Sequence, residues 1–230
     1  KARQAWRELL TRYAAADSPR IAEVAFRLAE TWRIPQPESL RDLVQGVAVL
    51  REFLTRYPDH ELAAKAHLRI AQSYMHRTKQ ADAIEALTPF LADPRYEAAE
   101  EIAEARNLLG QAYRERKQYD DAIAAWQAFL VKHPADPAWS AVQKAIVDTE
   151  FAQAHEAYEA ERYDEAIERW NEFLARYPLD DRSARVLFLL GAIDAKQERW
   201  EPAVATWRRL TSKYPESEEA RQARLSVAVT

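Results

Sequence analysis

The sequence predicts an all-α fold, a solenoid of antiparallel helix pairs. Three observations predict it. Only 3 of 230 residues are Gly and 48% are hydrophobic, a composition that favours helix over sheet or disorder. One phrase of small, aromatic and aliphatic residues at helical spacing recurs along the chain. Prolines close the phrase at 58, 94, 134, 178 and 215, at intervals of 36, 40, 44 and 37. Each removes a backbone donor and biases the residue before it out of the helical region.

The clearest copy runs from Glu104 to Pro134, EARNLLGQAYRERKQYDDAIAAWQAFLVKHP. Leu109, Gly110 and Tyr113 share one face of a first helix. Ala122, Trp126, Phe129 and Leu130 share one face of a second, at i, i+4, i+7 and i+8. Polar residues from Glu115 to Asp121 hold the turn, and Lys132 and His133 place cations where the second helix ends.

This phrase resembles the tetratricopeptide repeat. Its Leu-Gly pair, following Tyr, Ala, aromatic and closing Pro are Leu109-Gly110, Tyr113, Ala122, Trp126 and Pro134, in a family unit of about 34 residues. The resemblance implies a single right-handed superhelix over the whole chain. Its units are a half repeat 1–18, repeats at about 19–58, 59–94, 95–134, 135–178 and 179–215, and a half repeat 216–230.

In chain order, ARQAWRELLTRY (residues 2–13) aligns as an orphan second helix, with Ala14 where the Pro should be. Ser18-Pro19 reads as an N-cap followed by Pro at the first helical position. The first repeat carries Leu28, Ala29 and Trp32, then Gly46, Val47, Leu50, Phe53 and Leu54. Its turn, Ile34-Pro-Gln-Pro-Glu-Ser-Leu-Arg, is about five residues longer than the others and reads as a surface insertion. The second carries Ile70-Ala71, Tyr74, Ala83-Ile84, Leu87 and Phe90-Leu91, with Pro89 expected to bend or weaken its second helix. The fourth opens on Asp136-Pro137, a further N-cap, and carries Gln153-Ala154, Ala157, Ala166-Ile167, Trp170 and Phe173-Leu174. The fifth carries Leu190-Gly191, Ala203-Val204, Trp207 and Leu210, and Asp194 takes the usual Tyr place, so that contact is lost or replaced.

A pair of helices this short cannot bury its apolar stripe alone, so neighbours must stack. Gly110, Gly191, Ala29, Ala71 and Ala154 are small where the two helices cross, and Ala83, Ala122, Ala166 and Ala203 answer them. Trp126, Trp170 and Trp207 are expected to fill the space between repeats, and Tyr119, Tyr163 and Trp200 to pack at the turns. The chain opens on Lys1 and closes on Thr230, both inside repeat patterns. The expectation is a piece of a longer protein whose apolar ends invite end-to-end self-association.

The family resemblance implies that first helices line an inner groove that binds protein or peptide segments. Carried over repeat by repeat, the candidate groove residues are Phe26, Arg33, Leu68, Gln72, Met75, Asn107, Gln111, Arg114, Phe151, His155, Tyr158 and Phe188. Several are aromatic or Met where a solvated groove would be polar, and such residues are enriched at binding surfaces. The co-chaperone branch of the family grips a C-terminal carboxylate with Lys and Asn. Asn107 has the residue type but not the place, and no full clamp occurs. The endings FLTRYP (53–58) and FLARYP (173–178) resemble those of bacterial envelope tetratricopeptide proteins. These include the outer-membrane-assembly lipoprotein and the Tol–Pal-associated periplasmic coordinator. A periplasmic or envelope setting is therefore expected, with the cytoplasm as the alternative.

Net charge is −4 with no long basic run, which argues against nucleic acid. No apolar run approaches the roughly 20 residues of a bilayer span, so no direct membrane insertion is expected. With no Cys there is no disulfide, thiolate nucleophile or Cys-based zinc site. His67 and His76 lie nine apart, on opposite helix faces, and no metal site is expected. Asp120-Asp121 and Asp180-Asp181 read as solvated acids near helix starts. No HExxH, GxSxG or phosphate-cradling Gly loop occurs, so no catalytic residue and no cofactor are expected. The expected function is a protein–protein interaction scaffold binding a peptide or protein segment in its groove. The alternatives are a docking region of a much larger envelope or secreted protein and a helical accessory domain of a peptidoglycan-cleaving enzyme. Glu38-Ser39 carries the last of these, without the motif that should follow it.

Overall fold

A computed structural model describes residues 2–12 and 19–229. Among them the secondary structure is all helical: α1 (Ala2–Arg12), α2 (Pro19–Glu30), α3 (Leu40–Arg56), α4 (Ala63–His76), α5 (Gln80–Ala92), α6 (Glu101–Glu115), α7 (Tyr119–Lys132), α8 (Trp139–Glu159), α9 (Tyr163–Arg176), α10 (Ser183–Lys196), α11 (Trp200–Lys213) and α12 (Glu218–Val229). A single 3₁₀ turn, Pro94–Tyr96, follows α5. The chain forms two compact units, Lys1–Ile146 and Val147–Thr230, called units 1 and 2 below; the boundary falls within α8. Tyr13, Ala14 and the expected cap Ser18 lie outside the described residues.

In unit 1 the pairs α2–α3, α4–α5 and α6–α7 pack in sequence; in unit 2 α10 packs on α11 and α12. Within each pair the turn after the first helix holds a residue in the left-handed region: Arg33, Thr78, Lys117, Glu161 and Glu198, with φ between 53° and 60°. In four of them the N–H of the next residue returns to a carbonyl five residues back: Lys79 to Tyr74, Gln118 to Tyr113, Arg162 to Ala157 and Arg199 to Asp194. This is the closure usually built on Gly. Here side-chain-bearing residues hold it each time, against an intrinsic cost of about 1 kcal/mol apiece.

The second helices end on an aromatic ring. Tyr57, His133, Tyr177 and Tyr214 cap α3, α7, α9 and α11, each N–H returning to the carbonyl four residues back. In the second repeat this ring is displaced into the 3₁₀ turn, as Tyr96. Its hydroxyl donates to the Pro58 carbonyl at 2.8 Å, as Tyr214 does to Pro178 at 2.9 Å. The closing rings thus tie one repeat to the one before. Asp136 and Asp180 lie in the following turns, where their carboxylates accept from the backbone N–H two residues on.

The core follows the small-against-large pattern. Ala83, Ala122, Ala166 and Ala203 have no exposed surface. A methyl at Gly110 would come within 2.6 Å of Trp126 Cδ1, and one at Gly191 within 2.7 Å of Trp207 Cδ1. The tryptophans therefore lie inside their own helix pairs, not between repeats as expected. The closeness has a purpose. Trp126 Nε1 donates to the Asn107 carbonyl and Trp207 Nε1 to that of Phe188, each three residues before the Gly. At the third such position Ala154 carries a methyl, and the buried indole N–H of Trp170 meets no acceptor among the described residues.

Other expectations are corrected. The long first turn is more than a surface insertion: Ile34 and Pro37 are buried, and Ile34 packs so closely on Gly46 that a methyl there would lie 2.6 Å from Ile34 Cδ1. That is why Gly46 replaces the Ala of the other second helices. The helix α5 continues through Pro89 to Ala92. Tyr163 packs at its turn, 6.1 Å from Tyr158, but Trp200 is half exposed. Asp194 forms a local ion pair instead, with Arg199 at 2.6 Å.

Candidate functional site

The candidate groove residues fall into two groups, one in each unit, and the structure treats the groups differently. In unit 1, Phe26 and Leu68 are 3% and 5% exposed. Phe26 meets Phe53 edge-on, with ring centroids 5.7 Å apart, and the Arg69 guanidinium lies 4.7 Å above it. Neither side chain offers a surface, so both leave the candidate set for the core.

Most of the remaining unit 1 candidates are polar and engaged with neighbours. Asn107 turns inward, its Oδ1 accepting from Trp126 Nε1 at 3.0 Å. Gln111 is exposed and donates back to Asn107. Gln72 on α4 donates to Glu104 on α6 at 2.6 Å, and Arg69 on α4 pairs with Glu30 on α2 at 2.8 Å. Met75 is half-buried against the core. Arg33 pairs with Glu38, Ser39 caps α3 by accepting from the Asp42 N–H, and Arg114 is exposed. Glu38 and Ser39 thus both have local structural partners.

In unit 2 the candidates gather. Phe151, His155 and Tyr158 occupy successive turns of α8 at i, i+4 and i+7, the spacing of one helix face. All three are half-buried. Behind them stand two fully buried rings of α9: Phe173 meets Phe151 edge-on at 5.8 Å, and Trp170 lies 5.3 Å from Tyr158 and 6.5 Å from His155. The Arg182 guanidinium lies over Phe151 at 5.1 Å and over Phe173 at 5.4 Å. It is held by Asp180 and by Asp148 of α8, each at 2.8 Å, and these partners keep its charge in place. One repeat on, Phe188 of α10 is half-buried and stacks on Trp207 at 6.2 Å.

Rings of this kind are rigid, and each presents an edge to solvent while its other side is fixed in the core. Such a surface can accept apolar or aromatic side chains at low conformational cost. The sequence reading missed Arg182 and Tyr163, which border the row. Lys196 donates to Tyr163 and to Glu161. The signal was present: Arg182 lies two residues after Asp180 and Lys196 ends a first helix.

The most displaced histidine, His67, is pushed down to about 4 by burial, although Asp93 opposes the shift. It stacks flat on Phe90 at 4.8 Å, as a core ring. Among the described residues no group of three or more His, Cys, Asp or Glu side chains could hold a metal ion. No described helix is long and apolar enough to cross a membrane.

None of the curated proteins matches the chain. Solved structures do. YrrB, described as a TPR protein with an unusual peptide-binding site, is similar at 16% identity, over 96% of this chain and 97% of that one, with a TM-score of 0.40. BtubC from P. vanneervenii is similar at 17% identity, over 92% and 86%, with a TM-score of 0.44. The TPR2AB domain of yeast Sti1, in its pHSP90 complex, is similar at 14% identity, over 92% and 84%, with a TM-score of 0.45. The tetratricopeptide repeat model matches residues 68–138 and 151–218, more than half of the sequence, and the chain belongs to the tetratricopeptide repeat family.

Proposed function

We propose that the chain is a protein–protein interaction scaffold that binds a peptide or protein segment on the first-helix face of unit 2. The contacts we assign are Phe151, His155 and Tyr158 of α8 and Phe188 of α10. The observation that carries this reading is the row of half-buried aromatic rings backed by buried Phe173 and Trp170. Aromatic anchors fixed in place dominate the energetics of protein interfaces. The FLTRYP and FLARYP endings support a bacterial envelope setting for the partner.

The test is a selection of displayed random peptides on the chain, followed by affinity measurement on variants whose melts are recorded in parallel. Phe151→Ala/Phe188→Ala should weaken the selected segment about tenfold or more, since a few anchors carry most of the binding energy. Gln72→Ala/Gln111→Ala, on the polar face of unit 1, should change it less than about twofold. Equal affinity for all three proteins would remove the aromatic row as the site.

A further inference from the structure

Unit 2 carries a second surface, on its second-helix side. A groove of about 490 Å³ is walled by α9 and α11 and floored by α10. Ile167, Leu190 and Pro202 supply its apolar part. Asp164 and Glu168, i and i+4 on α9, stand on one wall, and Asp194 lies at its base.

The groove is open for a reason legible in the register. Asp194 occupies the position held by Tyr74 in the second repeat and Tyr113 in the third. Tyr74 is 9% exposed and reaches Arg51 of α3, which donates to its hydroxyl at 3.3 Å. A carboxylate at 194 is several atoms shorter than a phenol and fills less of the space above its helix.

The charges in the groove are unequal. Arg199 is the one cation lining it, and it is bound to Asp194 at 2.6 Å. Asp164 and Glu168 are exposed and have no salt-bridge partner among the described residues. As like charges one turn apart they repel, and a cation placed between them relieves this. The Arg199–Asp194 pair balances one of the three acids and leaves Asp164 and Glu168 as the uncompensated charges of the groove.

We propose that the groove takes a lysine or arginine side chain from a basic segment of a partner protein. The aliphatic stem lies on Ile167 and Leu190, and the charge lies between Asp164, Glu168 and Asp194, the division such side chains adopt at apolar surfaces. This site is distinct from the aromatic row on α8 and α10 and stands or falls separately from it.

The test uses the whole chain and a library of displayed random 12-residue peptides. Peptides selected on the native protein are counter-screened on Asp194→Tyr, which installs the residue of the sister repeats and fills the groove. Those lost on the variant should carry Lys or Arg beside an aliphatic residue. Their affinity, read by fluorescence anisotropy, should fall about tenfold in Asp164→Asn/Glu168→Gln and weaken as salt is raised. Peptides held by the aromatic row should be indifferent to both variants. The double variant alters only exposed side chains, so it serves as the counter-screen if Asp194→Tyr does not fold. The proposal is overturned if no selected peptide depends on the groove. It is equally overturned if the dependent peptides are neutral or acidic, or if they bind the double variant with native affinity.

Discussion

The same register position has opposite fates in the two units. Phe26 of unit 1 and Phe188 of unit 2 occupy equivalent sites on first helices, yet Phe26 is sealed and Phe188 keeps an exposed edge. The difference lies in what the neighbouring helix contributes. Arg69 of α4 lies flat over Phe26 and is fixed there by Glu30. Struts such as Gln72–Glu104 continue that polar cover across unit 1. Unit 2 has such a cation too, Arg182 over Phe151 and held by Asp148, but its α8 carries the rings Phe151, His155 and Tyr158 where α6 has Asn107, Gln111 and Arg114. Helical periodicity sets the face a side chain is on, but the next helix decides whether that face is core or surface.

The largest effect should come from the tryptophans, which both units share. Trp126 is 1% exposed and Trp170 fully buried. Replacing either by Ala should cost roughly 3–5 kcal/mol in a urea melt. Trp126→Ala should be the costlier of the two, because it also strands the Asn107 oxygens that accept its indole N–H. Equal losses would mean that the missing acceptor at Trp170 has no energetic weight.

The glycines sharpen the same contrast. Gly110→Ala and Gly191→Ala each drive a methyl into an indole and should cost about 1–3 kcal/mol. Ala154→Gly should be nearly neutral, since a recovered indole hydrogen bond offsets the roughly 1 kcal/mol that Gly costs inside a helix. A clear loss at Ala154→Gly would show that Trp170 is seated differently from its two counterparts.

The turns offer an effect of opposite sign. Lys117→Gly in unit 1 and Glu161→Gly in unit 2 each relieve a left-handed residue and should stabilise by up to about 1 kcal/mol. At Glu161 the gain is partly offset, because the ion pair with Lys196 is lost. A destabilised Lys117→Gly would place the gain below the extra backbone entropy of Gly.

Much of this was legible in the sequence. The small-to-aromatic spacing located the helix pairs, because periodicity and close crossing act locally. The closing prolines located the stops, each two residues past its helix, although Tyr96 follows its Pro instead of preceding it. The left-handed turns were hidden, since Arg33, Thr78, Lys117, Glu161 and Glu198 share no residue type that announces them. The site was half legible. Phe151, His155, Tyr158 and Phe188 emerged from register alone. The burial of Leu68 did not, nor did that of Phe26, which depends on Arg69, one repeat away. The plug of Ile34 on Gly46 was hidden for the same reason.

The smallest effects test the cover itself. Gln72→Ala removes an exposed strut between α4 and α6, and such surface contacts contribute little, so the loss should stay within about 0.5 kcal/mol. Arg69→Ala should cost more, about 1 kcal/mol, because it takes away both a cation over the Phe26 ring and the apolar stem that shields it. The two variants remove one polar contact each and differ in whether a ring is uncovered. If covering the ring separates the units, Arg69→Ala alone should give unit 1 new affinity for peptides selected on the proposed aromatic row of unit 2. If both variants lose the same stability and neither gains affinity, the struts hold unit 1 together by their own bonds, and the contrast between the faces needs another cause.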